Sequence, residues 1–303
     1  MKHFFLIGVI FYTFVCIPKT HSMPRKSKTE SNLFVVNVKL RSTNRSGDDA
    51  YIDVFEKLFH SKIPGRIYGD THYIIRTQFK GTQNDVPYLY GKFSSFTKIE
   101  GQNWLNLEQM EPVVYEIPDN IFPNLKETSY YFIPSAHRFC IEPERGFSVK
   151  NVVKYLEYAL PKIIESDEEL NIEVETEINA IEEIIHANRI LNLEIDISYT
   201  NDDLVDKEEE FADREFKEMQ AGKAKIILTP DHHKSLSMDS KFLLGTLKLA
   251  QSNGKVKANI VDAHDIKRKI ETSEYPRRVH FTFEDVDLKP QAVFNKIMQL
   301  FRQ

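Results

Sequence analysis

Two pairs of aromatic-rich segments, each joined by a few turn-forming residues, restrict this chain most. "THYIIRTQFKGT" (71–82) and "PYLYGKFSSFTKI" (87–99) flank Gly-Thr-Gln-Asn-Asp, and "SYYFIP" and "RFCIEPE" flank Ser135 to His137. Aromatic and β-branched side chains suit a pleated surface, while Gly, Asn and Asp supply the backbone angles of a reversal. Each pair therefore reads as a β-hairpin, which commits the front of the chain to antiparallel pairing. Such a sheet needs a cover for its apolar face. "DDAYIDVFEKLFHSK" provides one, with Ile52, Phe55, Leu58 and Phe59 at helical spacing behind an Asp cap. "LFVVNVKLR" (33–41) is short and β-branched, as a buried strand is. Trp104, the single tryptophan, is expected to lid the sheet edge or core.

Beyond Gly146 the rhythm changes. Ser148 is the expected N-cap of a helix with Val152, Val153, Leu156 and Leu160 inward, which Pro161 kinks or ends. "LNIEVET", "ILNLEIDISYT", "KAKIILTP", "KVKANIVDA" and "RRVHFTFE" read as strands. "INAIEEIIHAN", "DLVDKEEEFADREFKEMQAG", "SMDSKFLLGTLKLAQSNG" and "PQAVFNKIMQLFRQ" read as helices. The second of these is expected to be exposed, with Glu210–Arg214 and Asp213–Lys217 pairs and Gly222 near its C-cap; Pro290 starts the last. The expected fold class is α+β: a hairpin-rich mixed sheet in the N-terminal half and alternating strand/helix layers in the C-terminal half. The chain divides into a leader (1–22), an α+β portion (23–146) and an alternating portion (147–303). No Pro/Gly/Ser linker separates the last two, so they can be continuous.

The leader "MKHFFLIGVIFYTFVCIPKTHS" has a basic start and an apolar run from Phe4 to Cys16, the outline of a signal peptide. The run is too short to span a bilayer, so no stable span is expected after residue 22. Pro18, Lys19 and His21 and the lack of an A-x-A site argue against cleavage, and Met23 opens a natural cytosolic start. Only Cys16 and Cys140 occur, without zinc-ligand spacing. With the leader absent Cys140 is alone, which favours a reducing compartment. The expectation is a cytoplasmic protein, or an exported one if residues 1–22 act as a signal.

Two short stretches carry candidate chemistry. In the turn of the second hairpin, His137 has the imidazole of a general base, and Arg138 can grip a phosphate or carboxylate with two parallel bonds. The structural alternative pairs Arg138 with Glu142 or Glu144 across the strands. Cys140 shares a face with Arg138, not with His137, so a Cys–His nucleophile is not expected. "TPDHHKS" offers Asp231 and His232 at a strand end, where α/β sheets host ligands, although adjacent histidines rarely point the same way. Dinucleotide, P-loop, zincin, hydrolase-elbow and calcium-loop signatures are missing, so no cofactor and no metal are expected.

Charge is distributed unevenly. Residues 165–222 hold about 20 acidic and 4 basic side chains, whereas 23–92 and 223–280 are net about +5 and +6. Lys255, Lys257, Lys267, Arg268, Lys269, Arg277 and Arg278 are the best carriers of a nucleic-acid contact, provided the basic stretches are not neutralised by the acidic one.

Several phrases resemble a known family. "FVVNVKLRS", "YFIPSAHRFCIE" followed by "FSVKNVVKYL", "ILNLEIDISYTNDDL", "GKVKANIVDA" preceded by "LKLAQSN", and "YPRRVHFTFE" are similar to the bacterial family catalogued as domain of unknown function 4747, over about residues 33–283. The resemblance begins after Met23 and so favours translation from there. It implies an intracellular protein, with no catalytic residue to carry over, and families so scattered often serve phage defence or mobile elements. The leading expectation is an accessory protein that binds nucleic acid or an operon-encoded protein partner. The alternatives are a nuclease-like or nucleotide-processing enzyme using His137, Arg138 and Asp231 or His232, and a structural subunit, which an exposed apolar patch would favour. Oligomeric state is left open.

Overall fold

The computed structural model describes residues 28–99, 103–198, 207–232 and 234–301; the leader lies outside them. In chain order the elements are β1 (Thr29–Arg41), α1 (Asp48–Ser61), β2 (Gly65–Tyr68), β3 (Thr71–Gln83), β4 (Val86–Thr97), β5 (Asn103–Asn106), β6 (Glu111–Val114), β7 (Lys126–Ile133), β8 (Arg138–Ile141) and α2 (Val149–Ala159). They continue with β9 (Glu169–Val174), α3 (Ile178–Ile185), β10 (Arg189–Ser198), α4 (Lys207–Glu218), β11 (Lys223–Leu228), α5 (Lys241–Asn253), β12 (Gly254–Val261), β13 (Lys267–Glu271), β14 (Arg278–Phe283) and α6 (Lys289–Phe301). The fold is α+β, as the residue patterns indicate.

The first sheet runs β14-β1-β8-β7-β4-β3-β2, and β9 also pairs with β1. Its pairings are antiparallel. β1 is long enough for two neighbours placed end to end: residues 29–34 pair with β14 and residues 36–41 with β9. The turn between β3 and β4 tightens to Asn84 and Asp85, both at positive φ (50° and 62°), the two-residue reversal that matches strand twist. β7 reads as an unbroken apolar run because both of its faces are covered. Tyr130 and Phe132 enter the core beneath α1 and α2, and Tyr131 and Ile133 enter the core beneath α6. Phe55 of α1 stacks on Phe132 with centroids 4.0 Å apart. Each such buried side chain contributes about 1.5–3 kcal/mol.

The second sheet runs β11-β10-β12-β13, again antiparallel. Its inward residues, among them Leu193, Ile195, Val256 and Ala258, pack on Ile184, Phe216 and Leu247 of α3, α4 and α5. The helices therefore cover one face only. α4 connects the antiparallel neighbours β10 and β11, whereas α5 crosses over β10 to join β11 to β12, which flank β10 and run parallel to each other. α4 and α5 come so close that a Cβ on Gly245 would lie 2.0 Å from the Glu208 carbonyl oxygen.

Several local expectations are corrected. Gly47 at φ 77° is the N-cap of α1, and Asp48 and Asp49 occupy the first turn, where negative charge suits the helix dipole. Gln220 at φ 53°, not Gly222, takes the left-handed position after α4, and the Ala221 N–H reaches back to the Phe216 carbonyl at 3.1 Å. α4 is not a solvated rod, since Ala212, Asp213 and Phe216 are buried. The Asp213–Lys217 pair forms at 2.7 Å, while Arg214 reaches Glu218 at 4.0 Å. Trp104 lies on the separate β5–β6 hairpin, edge-on to Tyr115, and lids neither core. Strand pairing crosses residue 146, because β9 and β14 both add to β1. No helix among the described residues is long and apolar enough to cross a membrane.

The loop after β1 is fastened by an ion pair. Arg45 holds the buried Glu168 carboxylate with both forks of its guanidinium (Nη2–Oε2 2.8 Å) and also reaches Asp53. The arginine lowers the Glu168 carboxyl from its ordinary 4.5 to about 2. A depressed carboxyl stabilises the fold above its unfolded value, and that contribution vanishes as pH falls from about 4.5 to about 2. Glu168→Gln is expected to remove up to about 3 kcal/mol at neutral pH and to flatten the acid limb, read as urea midpoints from pH 7 to pH 2. An acid limb identical in both proteins would show the pair to be worth nothing.

Candidate functional site

His137 and Arg138 are adjacent but face different surroundings. A single 3-10 turn, Pro134–Ala136, precedes them, and His137 sits at φ 54° with its N–H on the Pro134 carbonyl at 2.8 Å. Its half-buried ring lies against Tyr51, at the wall of a pocket of about 330 Å³ that Arg41, Ser42, Arg45 and Gly47 also line. Arg138 points to the other face and is only 3% exposed. Its Nη1 donates to Asn37 Oδ1 and to the Ala136 carbonyl, both at 2.9 Å, and its Nη2 lies 3.4 Å from Glu175 Oε2. Arg277 approaches the same carboxylate at 3.4 Å, and the Phe301 ring lies 4.5 and 4.7 Å from the two guanidinium carbons. This cluster fills the seam along β1 where β9 ends and β14 begins. The cross-strand pairing of Arg138 with Glu142 does not form, because Glu142 is held by Lys289 at 2.7 Å. Any phosphate on Arg138 would have to displace a buried carboxylate. Cys140 is wholly buried, and burial pushes its thiol up, away from nucleophilic character.

Asp231 and His232 form an exposed turn after β11, where Asp231 accepts from Lys234 Nζ at 2.9 Å and from the His232 N–H at 2.8 Å. β11 starts opposite Ser198, near the first sheet, and carries the chain roughly 17 Å away before this turn begins. Shared acid–base chemistry needs groups within about 3 Å, or one water further. Asp231 and His232 thus belong to the far end of the second sheet, and His137 and Arg138 to the first. His233 lies outside the described residues.

The basic residues separate into two groups. Antiparallel register puts Lys225, Asp196 and Lys255 in one row across the outer face of the second sheet, Ile227, Glu194, Lys257 and Glu271 in the next, and Asn192, Asn259 and Lys269 beyond. Lys223 at one end and Arg189 with Lys267 at the other extend this open face, which holds six lysines, one arginine and three carboxylates, an excess of four positive charges. Pairing is partial: Lys225–Glu194 2.6 Å, Lys255–Asp196 3.8 Å, Lys257–Glu271 3.5 Å and Lys269–Glu271 4.0 Å. Lys267 has no ion pair among the described residues. Beyond it Asp262 caps its own turn, accepting the His264 and Ile266 N–H groups. The other three residues are elsewhere. Arg268 turns to the helix side and pairs with Glu183 of α3, Arg277 is taken up by Glu175, and Arg278 lies over the Phe34 ring of β1. Part of the charge asymmetry along the chain is therefore neutralised within the fold, while this face keeps an excess of positive charge.

Two features were not read from the residues. The first is the junction between the sheets, where Lys39 bonds Asn253, Asn171 bonds Ser198, and Ser198 lies 3.2 Å from Glu173 beside a cleft of about 290 Å³. Burial raises the Glu173 carboxyl and that of Glu157 near Lys255. The alternation in "LFVVNVKL" carried the signal: Asn37 and Lys39 fall on the face of Leu33 and Val35, so polar groups stand at core positions. The second is an arm. Among the described residues β5 and β6 pair only with each other, and around them Leu105, Leu107, Met110 and Val114 are 58–77% exposed.

The family model described as domain of unknown function (DUF4747) matches residues 29–299, and the chain belongs to that family. No curated protein matches it in sequence.

Proposed function

We propose that this member of the DUF4747 family is an accessory binding protein whose open, lysine-rich sheet face takes nucleic acid through its phosphates. The observation that carries this reading is the row-by-row placement of Lys225, Lys255, Lys257 and Lys269, with Lys223 and Lys267, on one uncovered face. The outward residues of that face include no aromatic ring, so bases have no stacking platform and the contact is to the backbone. Binding is then indifferent to sequence and steep in salt. A fluorescence-anisotropy titration with a labelled 30-mer, single- and double-stranded, at several salt concentrations tests it. With about four phosphates neutralised, log Kd is expected to rise about three to four times as fast as log salt. A setting in phage defence or mobile elements rests on the family resemblance alone. The enzymatic reading lacks this support, because its proposed residues are divided between two sheets. A structural-subunit reading is favoured by one separate feature, the apolar arm.

A further inference from the structure

We infer that the arm, residues 103–125, docks on the lysine-rich sheet face of a second copy of this chain, reciprocally in a two-fold dimer. A lone two-stranded hairpin is at best marginally stable in water, and contiguous apolar exposure marks an interaction surface. The arm exposes Leu107 at 77% and Met110 at 71%, and among the described residues its strands pair with no other strand. Its charge selects the occupant. Glu108, Glu111, Glu116 and Asp119 lie within it, and residues 103–125 contain no Lys, Arg or His. Two arms packed together would set like charges against each other, and Pro112 on β6 removes an N–H that an added strand would use.

The complement is therefore cationic with aliphatic surface, and the open face supplies both. Lysine stems cover apolar groups while their ammonium heads reach carboxylates. Ile227 stands 60% exposed among them, and a shallow groove of about 390 Å³ lies at the Lys267–Lys269 corner, lined also by Leu191, Asn192 and Asn259. Residues 122–124 are held at β4, where Phe122 stacks on Phe96 and the Thr97 N–H donates to the Pro123 carbonyl, so the arm supplies about 20 residues, the low end of one side of a standard interface, and reciprocity supplies the contact twice. The inference does not rest on nucleic-acid binding. Arm and nucleic acid use the same lysines and compete for them, so nucleic-acid binding is read on chain diluted to monomer: a chain that dimerises when concentrated but ignores nucleic acid as a monomer keeps this inference and loses that reading, and the converse result separates them equally.

Sedimentation velocity on the full chain tests it by charge exchange. The wild-type chain is expected to dimerise at low salt and to dissociate as salt rises. Glu108→Lys/Glu111→Lys/Glu116→Lys is expected to weaken association at least about tenfold, as is Lys257→Glu/Lys267→Glu/Lys269→Glu. An equimolar mixture of the two variants restores the dimer, because one of its contacts is native and the other is charge-swapped; this recovery also shows that both variants are folded. A wild-type chain that stays monomeric at about 100 µM in low salt, well above the affinities of specific interfaces, would overturn the inference. So would a mixture that fails to recover.

Discussion

Glu175→Leu is expected to lower the stability of the chain by about 3–5 kcal/mol, the largest single effect considered for this molecule. The carboxylate lies at 3.4 Å from both Arg138 and Arg277, in a seam where Arg138 is 3% exposed. Removing it leaves a buried guanidinium with only neutral partners, Asn37 and a carbonyl. Arg138→Met should cost less, because Arg277 still faces the carboxylate. The double variant should recover part of the loss, since a buried ion pair exchanged for apolar groups of similar volume is often neutral. Urea denaturation of the three variants measures this as a cycle. A loss below about 1 kcal/mol for Glu175→Leu would mean that water reaches the seam and screens the pair.

Gly245→Ala sets two magnitudes against each other. In an exposed helix the change would stabilise by about 1 kcal/mol, since Gly is among the poorest helix formers. Here the new Cβ would meet the Glu208 carbonyl oxygen at 2.0 Å and the Ala212 Cβ at 3.0 Å. Backbone cannot yield as a side-chain tip does, so α4 and α5 must separate, at about 1–3 kcal/mol. Packing wins, and a net loss of about 1–2 kcal/mol is expected in thermal unfolding, with faster amide exchange in both helices. A stabilised variant would mean that the two helices are not in contact at this point.

How far the residues announced this fold can be traced element by element. The hairpins, the Ser148 cap and the strand–helix alternation rest on local chemistry, and they are present. What local chemistry does not encode is which strands meet. β9 and β14 lie along β1 from more than 100 residues away, and the pairing of Arg138 with Glu175 follows from that topology. For the same reason the surviving lysines could not be told from the neutralised ones. Lys269 and Arg268 are neighbours in the chain, yet strand alternation sends one to the open face and the other to Glu183. β13 itself was masked by its composition, three basic residues in five.

The central claim, that the open face of the second sheet is where this protein binds, is tested most directly by comparing the wild-type chain with Lys257→Glu/Lys267→Glu/Lys269→Glu in the anisotropy titration. The wild type should bind the labelled 30-mer with the steep salt dependence of phosphate contacts, and the variant should lose at least about tenfold in affinity along with most of that slope. Equal affinity and equal slope in the two proteins would contradict it.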